Sequence, residues 1–181
     1  MQVYHAALRL APFVEMVTHS AVVNHGGGLR KERERVYANP CHYAQSAFAA
    51  LAGATLVALE LESAAETAPR VLPDLRQATP EARYSALDAL GALAPDGSLL
   101  LSLVHRGSHG PLRLDIDLGR FTPAGRAEVW RLSAETPWAG NTFEQPNAVV
   151  PIIETAPVRE GKIELELKPF TVARVRVPAV P

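Results

Sequence analysis

Cysteine is almost absent from the sequence, which has Cys41 alone among its 181 residues. A single cysteine cannot form an internal disulfide, and it excludes a zinc site made of several thiolates. The lack of disulfides is typical of a reducing compartment. Arg9, Glu15 and His19 also interrupt the first apolar stretch, which is atypical of a secretory leader. We therefore expect a cytoplasmic location.

An excess of charge of one sign is lacking as well, since the formal net charge at pH 7 is -1. Such a chain has no overall basic field with which to bind nucleic acid or an anionic membrane. No run approaches the roughly 20 consecutive apolar residues that a membrane-spanning helix needs. We expect neither nucleic acid nor a membrane among the partners.

The apolar fraction of 48% and the length of 181 residues are enough for one domain with its own core. From Tyr4 to Val23, apolar residues recur at intervals of three and four, which predicts an amphipathic helix. Pro12 interrupts this period, either as a kink or as the first turn of a second helix. The glycines at positions 26 to 28 should end the helical stretch.

A charged run follows at residues 30–35, and its mixed signs predict a solvated loop or local ion pairs. Asn39-Pro40 then opens a second predicted helix, which runs through Ala52 and stops at Gly53. Residues 1–53 are thus predicted to be a helical segment that precedes the main domain.

After Gly53 the apolar period changes to two, and turn residues separate the runs. Short strands without helices between them predict a mainly β domain over residues 54–181, an antiparallel β-sandwich of the jelly-roll type. Residues 63–80 are predicted to form a long loop around an edge strand. The predicted strands are Thr55–Glu62, Leu99–Val104, Leu112–Leu118, Ala127–Leu132, Ala148–Ile153, Ile163–Leu167 and Val172–Val177. Predicted to face the core are Val129, Leu132, Val149, Ile152, Leu165 and Val175.

Several residue patterns suggest chemistry, but each has a simpler structural interpretation. His25-Gly26-Gly27-Gly28 matches the oxyanion-hole string of some esterases, yet no Gly-x-Ser-x-Gly partner exists, so a helix stop is favoured. His105 and His109 are four residues apart, but Gly107 between them disfavours a helix that would present both to a metal. The adjacent Cys41 and His42 are favoured as packed or partly exposed residues over a nucleophile and its base.

Carboxylates occur in pairs at two-residue spacing, which on a strand places both members on one face. A retaining glycosidase holds two carboxyl groups about 5 Å apart, but these pairs alternate with leucine or isoleucine, so a solvated sheet face is favoured. The pairs are Glu60 with Glu62, Asp115 with Asp117, and Glu164 with Glu166. Trp130 is predicted to pack in the sheet, and Trp138, in a loop, is the better candidate for stacking on a sugar.

The stretch from Leu132 to Pro151 contains the string Asn141-Thr142-Phe143-Glu144-Gln145-Pro146, followed by Val149-Val150-Pro151. It resembles the C-terminal domain of the α-L-arabinofuranosidases of glycoside hydrolase family 51, which carry an Asn-Thr-Phe-Glu-x-Pro string and a Val-x-Pro strand. Other segments are similar to the family in the same order, so that the resemblance covers nearly the whole chain. They are 15–24, 39–53, 87–104 and 168–172.

The resemblance implies an accessory sandwich domain of a retaining enzyme that cleaves terminal α-L-arabinofuranosyl residues from arabinan or arabinoxylan oligosaccharides. The catalytic (β/α)₈ barrel of that family lies N-terminal to this domain, and no position here matches its catalytic glutamates. We therefore assign no catalytic residue, metal ligand or cofactor, and expect the chain alone to be inactive. The signature residues are expected to be structural: Asn141, Thr142, Phe143, Glu144, Pro146 and Pro151.

Two partners are expected, the catalytic barrel and a second copy of the chain. Without the barrel, the apolar stripe of the first helix would be exposed, and without the strand that the family's sandwich borrows from the enzyme's N-terminus a sheet edge would be open. The stripe consists of Leu8, Val14, Val17 and Ala21. The alternative function is a free-standing carbohydrate-binding or protein-interaction module, which the fragment of barrel helix disfavours.

Overall fold

The structure is a computed structural model, and it describes residues 1–18, 23–24, 28–67 and 83–180. Antiparallel strand pairs dominate these ranges, which confirms the predicted mainly β fold. The helices are α1 (Gln2–Arg9) and α2 (Pro40–Ala49). The strands are β1 (Leu29–Glu32), β2 (Arg35–Ala38), β3 (Thr55–Val57), β4 (Ala65–Thr67), β5 (Arg83–Ser85), β6 (Leu87–Leu93), β7 (Leu99–His105), β8 (Leu112–Asp117), β9 (Ala127–Leu132), β10 (Ile152–Ala156), β11 (Lys162–Leu167) and β12 (Val172–Val177).

A six-stranded antiparallel sheet in the order β10-β9-β12-β7-β6-β3 forms the main layer, and the β8–β11 pair packs on one of its faces. Along β11, buried and exposed residues alternate, so that Ile163, Leu165 and Leu167 enter the core while the glutamates between them face solvent. Val129 and Val175 meet them from the six-stranded sheet. The sandwich core therefore lies between these two layers.

The two helices cover the opposite face of the six-stranded sheet. Ala47 of α2 packs with Trp130 and Leu132 of β9, and Phe48 and Leu8 pack against a second cluster that includes Leu100 of β7. Pro40 stands in the first turn of α2, where its missing N–H and fixed φ favour helix initiation. Because both faces of the central strands are covered, β7 is buried along its whole length.

The first helix is shorter than predicted, since α1 ends at Arg9 rather than near Val23. Residues 10–13 form turns instead of a second helix, and residues 14–18 have no regular secondary structure. Pro12 cannot donate a backbone hydrogen bond, and its ring clashes with the preceding helical turn, so the period of the apolar residues does not suffice to continue α1. The predicted helix residues 19–22 and the glycines at 26 and 27 lie outside the described residues.

The charged run at residues 30–35 forms a hairpin, where a solvated loop or local ion pairs had been predicted. Strands β1 and β2 pair from Leu29 with Ala38 to Glu32 with Arg35, and Glu32 and Arg35 form an ion pair 2.5 Å apart. Arg33 adopts a positive φ of 53° in the turn. The predicted ion pair is thus present. It closes a two-residue turn that lacks the glycine or asparagine by which such turns are usually recognised in a sequence.

Two strand predictions differ from the structure by several residues, and three others differ by one residue at one end. β3 stops at Val57, whereas a strand through Glu62 had been predicted, and β10 begins at Ile152 rather than Ala148. As a result Ile152, predicted to face the core, is 55% exposed on an edge strand, while Val149 is buried although it lies in a loop. Pro151 cannot donate a ladder hydrogen bond, which is consistent with its place just before the strand. The other four predicted core residues are buried.

The edge of the six-stranded sheet at β6 is only partly open. β3 pairs with Gly91 to Leu93, the Leu87 N–H donates to Ser63 Oγ, and Arg9 donates to the Ala89 carbonyl at 2.7 Å. β3 and these two side chains occupy backbone N–H and carbonyl groups at the sheet edge, to which another strand would otherwise hydrogen-bond. Of the predicted loop at 63–80, residues 65–67 form β4, and residues 68–82 lie outside the described part of the chain. Neither described helix is long and apolar enough to cross a bilayer.

Candidate functional site

Asn141 of the signature string ties three segments of the chain together. Its side chain is buried, and its Nδ2 donates to the carbonyls of Ala38 at 2.7 Å and Val149 at 2.9 Å. Its Oδ1 accepts the Val149 N–H at 2.7 Å. Since a buried polar backbone group costs free energy unless it is paired, Asn141 stabilises the loop against the end of β2.

The neighbouring signature residues shape the same loop. Thr142 Oγ1 accepts the Gln145 N–H at 3.0 Å, and the ring of Phe143 packs edge-on against Tyr37 with ring centroids 4.9 Å apart. The guanidinium of Arg35 lies 4.7 Å from the Phe143 centroid. Phe143 thus extends the contact between the loop and the β1–β2 hairpin.

Glu144 and Pro146 are exposed, and Pro151 is half-buried. Within the described residues the Glu144 carboxylate has no hydrogen-bond or ion-pair partner, and the hydrogen bonds that hold the loop are made by the side chains of Asn141 and Thr142. Trp138, the predicted candidate for sugar stacking, is 91% exposed, whereas Trp130 is buried in the sheet as predicted.

The other predicted patterns are not brought together as chemical sites. His105 is buried while His109 is exposed, and the exposed Cys41 stands beside His42, whose Cβ is packed against Gly28. The paired carboxylates are exposed, with Glu164 directly opposite Asp115 on the outer face of the β8–β11 pair. Among the described residues no group of three or more His, Cys, Asp or Glu side chains is placed to hold a metal ion.

A buried polar cluster that the sequence analysis missed anchors α1 on the six-stranded sheet. His5 Nε2 lies 2.7 Å from Ser102 Oγ of β7, and His5 Nδ1 lies 3.1 Å from Asp88 Oδ2 of β6. Arg9 donates to Asp88 Oδ1 at 2.6 Å. Asp88 and Ser102 are isolated polar residues within the apolar runs of β6 and β7, and this pattern could have indicated a buried polar cluster.

These residue types are those of a catalytic Ser-His-Asp triad, but the arrangement in this cluster indicates a structural role. His5 and Ser102 are fully buried, so no substrate could reach the hydroxyl, and His5 Nδ1 makes no well-aligned hydrogen bond to Asp88. Burial lowers the pKa of His5 from its ordinary value of 6.5, and the neighbouring Asp88 carboxylate opposes that shift. The cluster therefore fixes the helix in place.

An apolar surface surrounds the end of α1. A groove of about 360 Å³ lies between α1, residues 14–17 and α2, and its lining includes Tyr4, Leu8, Val14, Met16 and Phe48. Phe13, in the turn that follows α1, is 90% exposed, and Val3, Leu10 and Met16 are also exposed. We call these four exposed side chains the α1 patch. Leu8 of the predicted stripe is partly buried against the domain itself, Val17 is 40% exposed, and Ala21 lies outside the described residues.

A comparison with protein-family models matches residues 3–171 to the α-L-arabinofuranosidase C-terminal domain. The chain belongs to this family. A comparison with curated proteins found no match. The arabinofuranosidase C-terminal domain is also similar in fold to solved structures of larger enzymes. One is the GH51 arabinofuranosidase from Xanthomonas axonopodis pv. citri, with 16% identity, a TM-score of 0.77 and coverage of 91% of this chain and 31% of that one.

Two Thermotoga enzymes show the same fold. The thermostable GH51 α-L-arabinofuranosidase of Thermotoga petrophila has 22% identity and a TM-score of 0.74, with coverage of 97% of this chain and 36% of that one. The enzyme of Thermotoga maritima, solved as an arabinose complex, has 22% identity and a TM-score of 0.66, with coverage of 87% and 33%. The chain thus spans about a third of the length of these enzymes, and its 181 residues do not include a counterpart of their catalytic barrel.

Replacement of Asn141 by alanine is expected to lower the free energy of unfolding by about 1–3 kcal/mol, because it leaves the buried backbone groups of Val149 and the partly buried carbonyl of Ala38 without their hydrogen-bond partner. Urea unfolding followed by circular dichroism measures the loss. Asn147→Ala is the matched control, since Asn147 is exposed in the same loop. Equal effects of the two substitutions would contradict a structural role for Asn141.

Proposed function

We propose that this chain is the accessory domain of a retaining α-L-arabinofuranosidase, whose barrel cleaves terminal α-L-arabinofuranosyl residues from arabinan or arabinoxylan oligosaccharides. The observation that carries the proposal is the family match over residues 3–171, together with the fold shared with three arabinofuranosidases. The domain itself binds and buttresses the barrel rather than performing the reaction.

The α1 patch supports a role in binding the barrel. Phe13 and Met16 have most of their surface exposed to water. Large exposed apolar patches on a protein surface mark interaction sites. The buried His5 cluster anchors α1, which carries Val3 and leads directly into the turns that carry Leu10 and Phe13. An anchored start of the patch lowers the conformational entropy that the patch loses on binding.

The chain alone is expected not to hydrolyse aryl α-L-arabinofuranosides. A retaining glycosidase needs two carboxyl groups about 5 Å apart at its substrate, but the groove beside α1 is lined by one carboxylate, that of Glu15. The most signature-embedded carboxylate, Glu144, is exposed without a polar partner in the described part of the chain. Turnover of about 1 s⁻¹, the low end of typical enzymes, would refute the proposal. Glu144→Gln is the control, because any activity that survives it does not depend on that carboxylate.

A carbohydrate-binding module is the second candidate function, and the exposed ring of Trp138 is the observation that favours it. Titration with arabino-oligosaccharides, followed by tryptophan fluorescence, separates the two functions. The accessory role predicts no saturable change in tryptophan fluorescence. A binding module would show a saturable change that the Trp138→Ala substitution abolishes, because the other tryptophan, Trp130, is buried.

The chain alone is also expected to associate with a second copy through the α1 patch, since no barrel covers it within these 181 residues. Light scattering at micromolar concentrations should show a dimer or larger species. The double substitution Phe13→Ser with Met16→Ser should give a monomer of unchanged stability, because both side chains are exposed. A monomeric unsubstituted chain would contradict this expectation.

A further inference from the structure

The groove beside α1 is open, apolar and large enough for an aromatic ring. The stacked rings of Tyr4 and Phe48, whose centroids lie 4.8 Å apart, line it together with Leu8 and Val14. Among the described residues that line it, Glu15 alone is charged. An apolar cavity of about 150 Å³ holds a benzene molecule, and this groove has a volume of about 360 Å³. We call it the α1 groove.

Phe13 lies beside the α1 groove but does not fill it. Its N–H donates to the Leu10 carbonyl at 2.8 Å in the turn after α1, and the residue is 90% exposed. Val14, the next residue, lines the groove, whereas Phe13 does not. One copy of the chain thus presents an aromatic ring to water and, one residue further along, an apolar recess of a size that fits such a ring.

We propose that two copies of the chain exchange Phe13, so that the ring of each copy occupies the α1 groove of the other. This exchange rests on the proposed association of the chain through the α1 patch, and it specifies which side chain enters which recess. Phe13 leaves water for the neighbourhood of Tyr4 and Phe48, and contacts between aromatic rings are favourable beyond the area that they bury. Because the ring and the recess belong to the same chain, a two-fold axis makes the contact twice and closes the assembly as a dimer.

The area that the exchange buries approaches that of a specific interface. An aromatic side chain buries roughly 150–250 Å², so two rings and the groove walls that they cover account for roughly 600–1,000 Å². Leu10 and Met16, which are 56% and 79% exposed near Phe13 in the sequence, add to this area. Specific interfaces begin near about 1,200 Å². Charge does not oppose the contact, since Arg9 and Glu15, on the two sides of Phe13 in the sequence, have opposite signs.

Sedimentation equilibrium of the full 181-residue chain tests the exchange through the dissociation constant of the dimer. Phe13→Ser should raise this constant at least tenfold, because it removes the ring. Ala7→Phe and Ala49→Trp should do the same with Phe13 intact, because both alanines line the groove and a larger side chain there fills it. Ile153→Ser is the matched control and should change the constant less than threefold. Ile153 is 67% exposed on β10, far across the six-stranded sheet from β6, on which α1 packs.

A mixture of two variants separates the exchange from a general apolar contact. Phe13→Ser keeps an open groove and Ala49→Trp keeps the ring, so each should bind the other more tightly than either binds itself. Circular dichroism of each variant verifies that the domain is folded.

Two results would overturn the exchange but leave the association through the α1 patch standing. One is an unsubstituted chain that associates while Ala7→Phe and Ala49→Trp keep its dissociation constant. The other is a mixture that binds no more tightly than its components. An unsubstituted chain that is monomeric at micromolar concentrations would overturn both. The assay of arabinofuranoside hydrolysis, which tests the accessory role, does not depend on any of these results.

Discussion

Truncation of Leu165 to alanine should lower the free energy of unfolding by roughly 2–5 kcal/mol. Leu165 lies on β11 opposite Leu114, and its side chain enters the core between the β8–β11 pair and the six-stranded sheet. The second layer has two strands, so each apolar residue on it fills a large share of the space under the sheet. The backbone on the two sides of this core is held by the β8–β11 ladder and by the six-stranded sheet, which limits its collapse into the cavity.

Equilibrium unfolding in urea, followed by circular dichroism, gives the loss. Ile152→Ala is the matched control, since Ile152 is also a strand aliphatic residue but is 55% exposed on the edge strand β10. We expect this control to stay within about 0.5 kcal/mol of the unsubstituted chain. A Leu165→Ala variant as stable as the Ile152→Ala variant would mean that the two layers do not share a well-packed core.

Most strands of the sandwich were predictable, because no other local signal opposes the apolar period of their residues, but this period did not predict β6. β9 and β12 begin and end at the predicted residues, Ala127–Leu132 and Val172–Val177. Where a strand lies at an edge, alternation alone misplaces it. Ile152 was assigned to the core from its period, but the sheet has no neighbour beyond β10 in the described residues to cover it.

The β1–β2 hairpin was not predictable from its own residues, because a run of mixed charges has no apolar period. Distant residues stabilise it. Asn141 donates to the Ala38 carbonyl, and Phe143 packs on Tyr37, more than a hundred residues earlier in the chain. The signature string was recognisable in the sequence, but its function as a clamp on this hairpin becomes visible only in three dimensions.

The convergence of side chains from distant strands is likewise invisible in sequence spacing. Asp88 and Ser102 become neighbours because β6 and β7 pair antiparallel, with Leu90 opposite Ser102, and α1 brings His5 over both. His105 was first considered with His109, four residues away, whereas its ring nitrogen Nδ1 lies within hydrogen-bond distance of the carbonyls of Leu167 and Lys168, which end β11 and follow it. Spacing along the sequence predicts which side chains are neighbours on one helix or strand, whereas the pairing of strands determines which side chains from different strands become neighbours.

The domain should lose stability as the pH falls below about 6.5, because of His5. Burial lowers the pKa of His5 in the folded state below its ordinary value of 6.5, although the Asp88 carboxylate opposes the shift, and the positive charges of Arg9 and the N-terminus add to it. Between the two pKa values the unfolded chain binds more protons than the folded one. The free energy of unfolding is therefore highest above the ordinary pKa and decreases as the pH falls through it.

Urea unfolding at several pH values between 8 and 5 measures this dependence, and the slope from one proton approaches at most about 1.36 kcal/mol per pH unit. His5→Gln is the informative variant, because glutamine can still hydrogen-bond to Ser102 but does not titrate. We expect it to be less stable than the unsubstituted chain at pH 8 and to have a flatter pH dependence below 6.5. His109→Gln, at an exposed histidine, should leave the slope unchanged. If His5→Gln keeps the full acid sensitivity, protonation of other groups destabilises the domain, and His5 does not control the docking of α1 on the sheet.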